Sequence, residues 1–493
     1  MVTSQIIRDW RGRAYRVGDS AQELLDRPRT WMLWLPWLAM LAISPLQYGY
    51  GAAIPHLMAV RGWTLAQALA PMAIWAICQA IVAFPTARAL ERRTTGTTAP
   101  HQVTTQAPPA PTGPRDWATG APIATLACDW TTGTPAPRGQ AVGTSHALPL
   151  RGPLLTAALL VTAGLLISGL ATRPIWMLLG YGVLGGTGAG MVYAICSVVI
   201  SAWYPERHAV HVGFVTGAFA YGSVPVVIAA PSHVGGAFVV AAVLAGAVVA
   251  IAAAYVRTPP AGWWPPHLDP REWFMGNRAF RANPRAARDF STGQAMRTGV
   301  LPALCVILVL AASVSIFNVV SVAILAIAMP PAAWTAVALL IAANGAGRAV
   351  AMIVSEHIGR RPTLSLTLAL LATGQFLLAS DAATGSAAGL IVSALVAGLG
   401  GGAFYPLIAS LVRDYFGETR TTEIHAVVYS AKAVAGASGA ALVLLAATWT
   451  HPHVYLLAAA LAAASALLST RLRQPGRPLT IPHAPPSRTR VTP

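Results

Sequence analysis

Charge is what this sequence has least of. Asp, Glu, Lys and Arg make up 10% of its 493 residues, 55% are hydrophobic, and the mean hydropathy is +0.58. That leaves too little polar surface to cover a soluble globule. Within the scarce charge, two kinds are scarcer still. All 16 acids, from Asp9 to Glu423, fall in predicted tails, loops or helix ends, and none sits in the middle of an apolar run. Of the 33 Lys and Arg residues a single one is lysine, Lys432. Cysteine is rare as well. Cys78, Cys196 and Cys305 lie in apolar runs and Cys128 in a polar loop, without paired spacing, which argues against a disulfide framework or a zinc site. The first 30 residues lack the short apolar core and cleavage site of a signal peptide. Nothing resembles an ATP-binding domain, and no metal or cofactor is expected; the chain does not read as an enzyme.

What is abundant is the long apolar run. A transmembrane helix needs about 20 mostly apolar residues, and twelve stretches qualify: 31 to 59, 66 to 88, 153 to 171, 174 to 202, 211 to 231, 235 to 256, 300 to 328, 332 to 356, 363 to 380, 386 to 412, 423 to 447 and 453 to 470. A closed barrel would need alternating segments of about 10 residues, so the runs predict helices. The fold class read from them is an all-α membrane protein. The net charge of +17 could suggest nucleic acid, but its distribution argues against that partner. Six arginines precede the first span, seven lie between spans six and seven, and five follow span twelve. The odd loops hold only Arg61 and Arg173. By the positive-inside rule both termini are expected in the cytoplasm of a multi-pass cell-membrane protein, with anionic inner-leaflet lipid as a neighbour.

An internal repeat divides the chain. "GTGAGMVY" at 186 to 193 and "GLGGGAFY" at 398 to 405 share Gly-x-Gly-x-Gly-x-x-Tyr at an offset of 212, and the same offset matches Glu206 to Glu418. These are spans four and ten. Two six-helix halves are therefore predicted, 31 to 257 and 299 to 473, flanked by a cytoplasmic tail at 1 to 30, a linker at 258 to 298 and a second tail at 474 to 493. Residues 91 to 151, rich in Thr, Pro and Gly, interrupt the first half and read as a disordered cytoplasmic insertion. The glycines have a plain reading as close helix packing. Neither copy follows a strand, so a nucleotide site is not indicated.

Two cations do lie within spans. Lys432 is about ten residues, and Arg348 about eight, from the predicted cytoplasmic end of its span, which at 1.5 Å per residue puts both roughly 12 to 15 Å deep. That is near the middle of a hydrocarbon core about 30 Å thick. A cation there costs at least ~2.5 kcal/mol and ordinarily faces a cavity or a carboxylate. The plain alternative is that each snorkels to the surface or leans on carbonyls. Two unpaired cations at matching depth point instead to a cavity whose counter-ion is a small organic anion. A guanidinium fork suits a carboxylate, and an ammonium is a compact point charge, so a mono- or dicarboxylate fits. Mutual repulsion of the cations would hinder the carrier from crossing without cargo and so favour exchange. Gln47, Tyr48, Gln79 and the repeat-related Tyr193 and Tyr405 are candidates to complete the cavity. Each taken alone reads more often as an interhelical hydrogen bond or interface aromatic, and the set together favours the cavity.

Several stretches resemble the oxalate/formate antiporter family of the major facilitator superfamily. They are "SPLQYGYG" with the following "RGW", the fourth span ending "AWYPER", the linker start "PPAGWWPP", "NGAGR" leading to "SEHIGRR", and "YSAKAVAG". The resemblance covers nearly the whole chain except residues 91 to 151 and the tails, and implies the major facilitator fold. It implies that Arg348 and Lys432 bind substrate carboxylates, that Tyr193 and Tyr405 enclose them, and that Gln47 and Tyr48 match a Gln-Tyr pair of span one. It also implies that Glu356, Gly359, Arg360 and Arg361 form a latch at the cytoplasmic gate. The first-half counterpart "TARALERRT" lacks the acid-x-x-Gly pattern. Gly401 stands where another cage aromatic is expected, which predicts a roomier cavity than oxalate needs. The function so read is secondary transport of small carboxylates by a chain expected to act as a monomer. Two alternatives stay open: a proton-coupled drug exporter of the same fold, which usually needs an intramembrane acid, and a non-transporting membrane sensor.

Overall fold

The computed structural model describes residues 5–8, 14–95, 147–276, 278–418, 420–449 and 451–476. Among them, eleven helices are long and apolar enough to cross a membrane: Leu65–Leu90, Arg151–Leu170, Pro174–Trp203, Pro205–Ala229, His233–Tyr255, Val300–Ile327, Pro331–Ile358, Arg360–Thr384, Ala387–Phe416, Thr421–Thr448 and Pro452–Thr470. In chain order these are spans two to twelve. Span one is present but broken. Helix Trp31–Ile43 ends in a 3-10 turn at Ser44–Leu46, and helix Tyr48–Arg61 follows. Pro45 has no amide hydrogen to continue the helix, and the Ser44 hydroxyl donates to the Ala220 carbonyl at 2.9 Å. The break sets Gln47 and Tyr48 at the bend. Spans one to six and seven to twelve form the two six-helix halves of a multi-pass membrane protein.

The repeat glycines act in packing, and what they pack against matters for the site. A Cβ on Gly186 would lie 2.7 Å from the Trp75 carbonyl oxygen, and one on Gly190 would lie 2.8 Å from that of Gln79. In the second half, Gly402 packs on the backbone and side chain of Asn344. Span four is thereby pressed onto span two, and span ten onto span eight. Small residues also join the halves, because they allow backbones to approach. A Cβ on Gly217 of span five would meet the Gly345 carbonyl of span eight at 2.8 Å, and one on Gly51 of span one would meet Val319 of span seven at 3.0 Å. Span four also contains a π-helical stretch, Leu178–Gly185, a feature its repeat partner Ala387–Phe416 lacks.

The polar segments carry regular structure, and one expectation, the extent of the insertion, is corrected. The tail at 1 to 30 contains an antiparallel strand pair, Gln5–Arg8 with Ala14–Val17, and the capped helix Ala21–Leu25. Arg16 of that hairpin exchanges backbone bonds with Gly262 and Trp264 of the linker, at 2.8 and 2.9 Å. The linker at 258 to 298 carries the short helices Pro270–Gly276, Arg278–Ala282 and Thr292–Arg297. The insertion at 91 to 151 is narrower than expected. Helix Leu65–Thr95 continues into it, and Leu148–Pro149 pairs with Arg257–Thr258. Residues 96–146 lie outside the described residues. The disorder expected from composition missed these ends because backbone pairing and helix continuation need no apolar face of their own.

Candidate functional site

Arg348 and Lys432 converge at the interface of the halves, 1% and 2% exposed. Both face the same ring. The Arg348 guanidinium carbon is 5.4 Å, and the Lys432 ammonium 5.5 Å, from the centroid of Tyr405. Arg348 stands one turn after Asn344 on span eight. Its Nη1 donates to the Thr216 carbonyl at 3.0 Å, and its Nη2 to the Tyr48 hydroxyl at 2.8 Å and the Asn344 side-chain oxygen at 3.4 Å. Tyr48 in turn donates to Asn344 Oδ1 at 2.9 Å. The ring of Phe219, centroid 5.9 Å away, covers another side of the guanidinium.

Lys432 donates to Gln79 Oε1 and to Gln47 Oε1, the latter at 3.3 Å. Trp75 and Tyr429 place their ring centroids 5.1 and 5.7 Å from the ammonium. Among the described residues neither cation forms an ion pair. Neutral dipoles and ring faces carry the whole task of replacing water around two buried charges.

Among the described residues, four further donors in the same cluster find no acceptor. Arg348 Nε, Gln79 Nε2, Trp75 Nε1 and the Tyr405 hydroxyl are buried without a hydrogen-bond partner there. Buried polar groups are normally satisfied, and each exception calls for a cause. Here the unpaired groups are all N–H or O–H and surround two positive charges. The chemistry this favours is acceptance by an anionic oxygen.

Tyr193 stands one ring further out. It lies parallel to Tyr429 at 5.9 Å and edge-on to Phe219 at 5.8 Å. On the same face of span four, towards the linker, Tyr193, Ser197 and Ser201 are half-buried, whereas Gly186, Gly188 and Gly190 are fully buried. The Tyr193–Tyr429 pair thus separates the cations from the linker side. On the opposite side Trp334, in the first turn of span eight, donates to the Val227 carbonyl at 2.9 Å and meets His56 edge-on.

One sequence expectation is corrected. The space over Gly401 is filled: an added Cβ would sit 3.3 Å from Asn344 Nδ2 and 3.4 Å from Ser315 Oγ, and Ser315 donates to the Gly401 carbonyl at 2.6 Å. Small polar groups replace the expected aromatic, so no extra room results. In the latch stretch, Arg360 pairs with Asp414 of span ten. Glu356 is half-buried and forms no ion pair among the described residues. Gly359 ends span eight at φ +97°, a conformation that favours glycine. Its neighbour Arg361 donates to the Leu472 carbonyl at 3.0 Å. These four residues lie at the linker face, apart from the two cations. Arg88 of "TARALERRT" reaches across to Glu423 at 3.4 Å.

Sequence reasoning did not select Trp75, Thr216, Phe219, Asn344 and Tyr429. Two of them had a local signal. Asn344 is one turn before Arg348 in "NGAGR", and Tyr429 is three residues before Lys432 in "YSAK". Trp75 lies one turn before Gln79, and only the span packing shows that it faces the second half.

Residues 303–493 match the sequence profile of the family described as Major Facilitator Superfamily. No curated protein sequence matches significantly. Among solved structures, the chain is similar to a POT family transporter in complex with a thioalcohol-conjugated peptide, at 13% identity and TM-score 0.58, covering 88% of this chain and 94% of that one. The human organic anion transporter MFSD10 (TETRAN) is similar at 13% identity and TM-score 0.56, covering 90% of this chain and 100% of that one. The inward-open xylose transporter XylE from E. coli, also at 13% and 0.56, covers 90% and 96%. With its helices in two six-span halves, this chain has the major facilitator fold.

Proposed function

We propose that this protein is a secondary active transporter of small organic anions, mono- or dicarboxylates, which it exchanges across the cell membrane by alternating access. One observation carries the reading: two buried cations, drawn to one tyrosine ring from spans eight and eleven, without an acid among their partners and with four unsatisfied donors around them among the described residues. A carboxylate entering there accepts from the guanidinium and the ammonium, and its remaining lone pairs meet Tyr405 Oη, Arg348 Nε and Gln79 Nε2. The aromatic rings exclude water, which strengthens those bonds. The description of MFSD10 as an organic anion transporter is in keeping with this reading. The arginine-rich tails and linker support cytoplasmic termini.

Reconstitution in liposomes tests it. Countertransport of labelled oxalate, formate, malonate or lactate against the same unlabelled anion is the expected result. Dye extrusion driven by a pH gradient, with no carboxylate movement, would point to the exporter. Carboxylate binding without any flux would point to a sensor.

A further inference from the structure

The two cations obtain their hydrogen-bond partners almost entirely from the opposite half, while Tyr405 and Tyr429 of their own half add ring faces. Lys432, on span eleven, donates to Gln47 and Gln79 of spans one and two. Arg348, on span eight, donates to Tyr48 of span one and Thr216 of span five, and only Asn344 belongs to its own half. These bonds therefore cross the centre of the molecule and exist only while the two halves are together. The carrier's own dipoles do at its centre what a bound anion would do.

The ammonium has a further support that involves no acceptor. Tyr50 and Tyr181 stack at 3.9 Å with 17° between their planes, Tyr181 and Trp75 follow at 6.3 Å and 19°, and the Lys432 ammonium stands 5.1 Å from the Trp75 centroid. Three nearly parallel rings of the first half thus end on the one lysine of the second. The π-helical stretch Leu178–Gly185 carries Tyr181. The arrangement belongs to the first half alone, because the repeat counterpart of Tyr181 is Ser393, which bonds Asp381.

We infer that this carrier also closes and reorients without cargo, so that it performs net transport of its anion as well as exchange. The inference rests on the transport reading above and departs from strict exchange. A carrier whose buried cations could be satisfied only by substrate would be held open when unloaded, because closing would strand two desolvated charges. Here Gln47, Gln79, Tyr48, the Thr216 carbonyl and the Trp75 face contact both charges, which are 1% and 2% exposed. The repulsion between the cations that the sequence suggested as a bar to the unloaded crossing is opposed by these contacts. Trp75 is a positioning residue in this scheme: it holds the ammonium when the anion does not.

The test uses the full chain in liposomes, with membrane potential clamped by potassium and valinomycin, loaded in turn with labelled oxalate, formate, malonate and lactate. Efflux into anion-free medium is compared with efflux into the same unlabelled anion. The expected result is net efflux within about tenfold of exchange. Trp75→Leu is expected to lower the ratio of net efflux to exchange by about tenfold, and Trp75→Phe, which keeps a ring face, to restore it. Exchange without net efflux in the wild-type protein overturns this inference and leaves the transport reading standing. An equal loss of both modes in Trp75→Leu also overturns it. Absence of movement in either mode defeats both readings together. The wild-type comparison decides by itself, whatever the yield of the variants.

Discussion

Replacing Lys432 by Gln removes one charge and little else. The amide fits among Gln47, Gln79 and the rings of Trp75, Tyr405 and Tyr429, and it relieves the cost of a buried cation, so insertion and fold are expected to persist. The loss falls on the anion. A charge pair about 4 Å apart is worth about 4 kcal/mol at an effective dielectric constant of about 20. Part of that is offset, because the ammonium gives up its glutamine partners on binding. A net loss of about 2.7 kcal/mol, within the range for hydrogen bonds to charged groups, corresponds to about a hundredfold. Countertransport measured below saturation, at matched protein levels, should therefore fall about a hundredfold. Lys432→Arg should recover only part, because a planar fork does not reproduce a point charge. Exchange by Lys432→Gln within about threefold of wild type, a difference under 1 kcal/mol, would refute the reasoning.

Tyr405→Phe keeps the ring that both cations face and deletes a hydroxyl without a partner among the described residues. Thermal stability should hold while anion affinity drops about fivefold or more, the value of one hydrogen bond of about 1 kcal/mol; unchanged affinity counts against that hydroxyl as a ligand. Arg360→Met leaves the Asp414 carboxylate, whose side chain is 12% exposed, without its counter-charge, and should lower stability by about 3 kcal/mol. Adding Asp414→Leu should recover most of the lost melting temperature, and failure to do so would show that the pair is not the cause. Deleting residues 100 to 143 should leave insertion and transport nearly intact. The pairing of Leu148–Pro149 with Arg257–Thr258 remains, and loop length costs little. Loss of transport at normal membrane levels would assign that segment a function.

Much of this was legible because lipid imposes simple rules. Long apolar runs must become helices, and two cations in them stand out against an acid-free background. The Gly-x-Gly-x-Gly repeat located spans four and ten, although sequence alone did not say that Gly186 and Gly190 press on Trp75 and Gln79. What stayed hidden depends on contacts between distant segments. Tyr48 reaches Asn344 and Arg348 across about 300 residues of chain, and Phe219 and Trp75 look like any apolar-face aromatic until the halves meet. The break at Ser44–Leu46 was masked by continuous hydropathy. The ordered hairpin and linker were masked by a polar composition, since backbone pairing and capping leave a weak compositional mark. At Gly401 the absence of a side chain suggested space, but Asn344 and Ser315 occupy it.

The central claim is that one anion is held by Arg348 and Lys432 together, and equilibrium binding of labelled oxalate and formate to the purified protein tests it most directly. Wild type, Lys432→Gln, Arg348→Gln and the double variant form a cycle. The account predicts that each single change weakens oxalate binding by about a hundredfold, about 2.7 kcal/mol, and that the double variant shows no measurable binding. If oxalate bridges the two cations, its advantage over formate should also disappear in either single variant. Binding of both anions by Lys432→Gln or Arg348→Gln within about threefold of wild type would contradict the two-cation site.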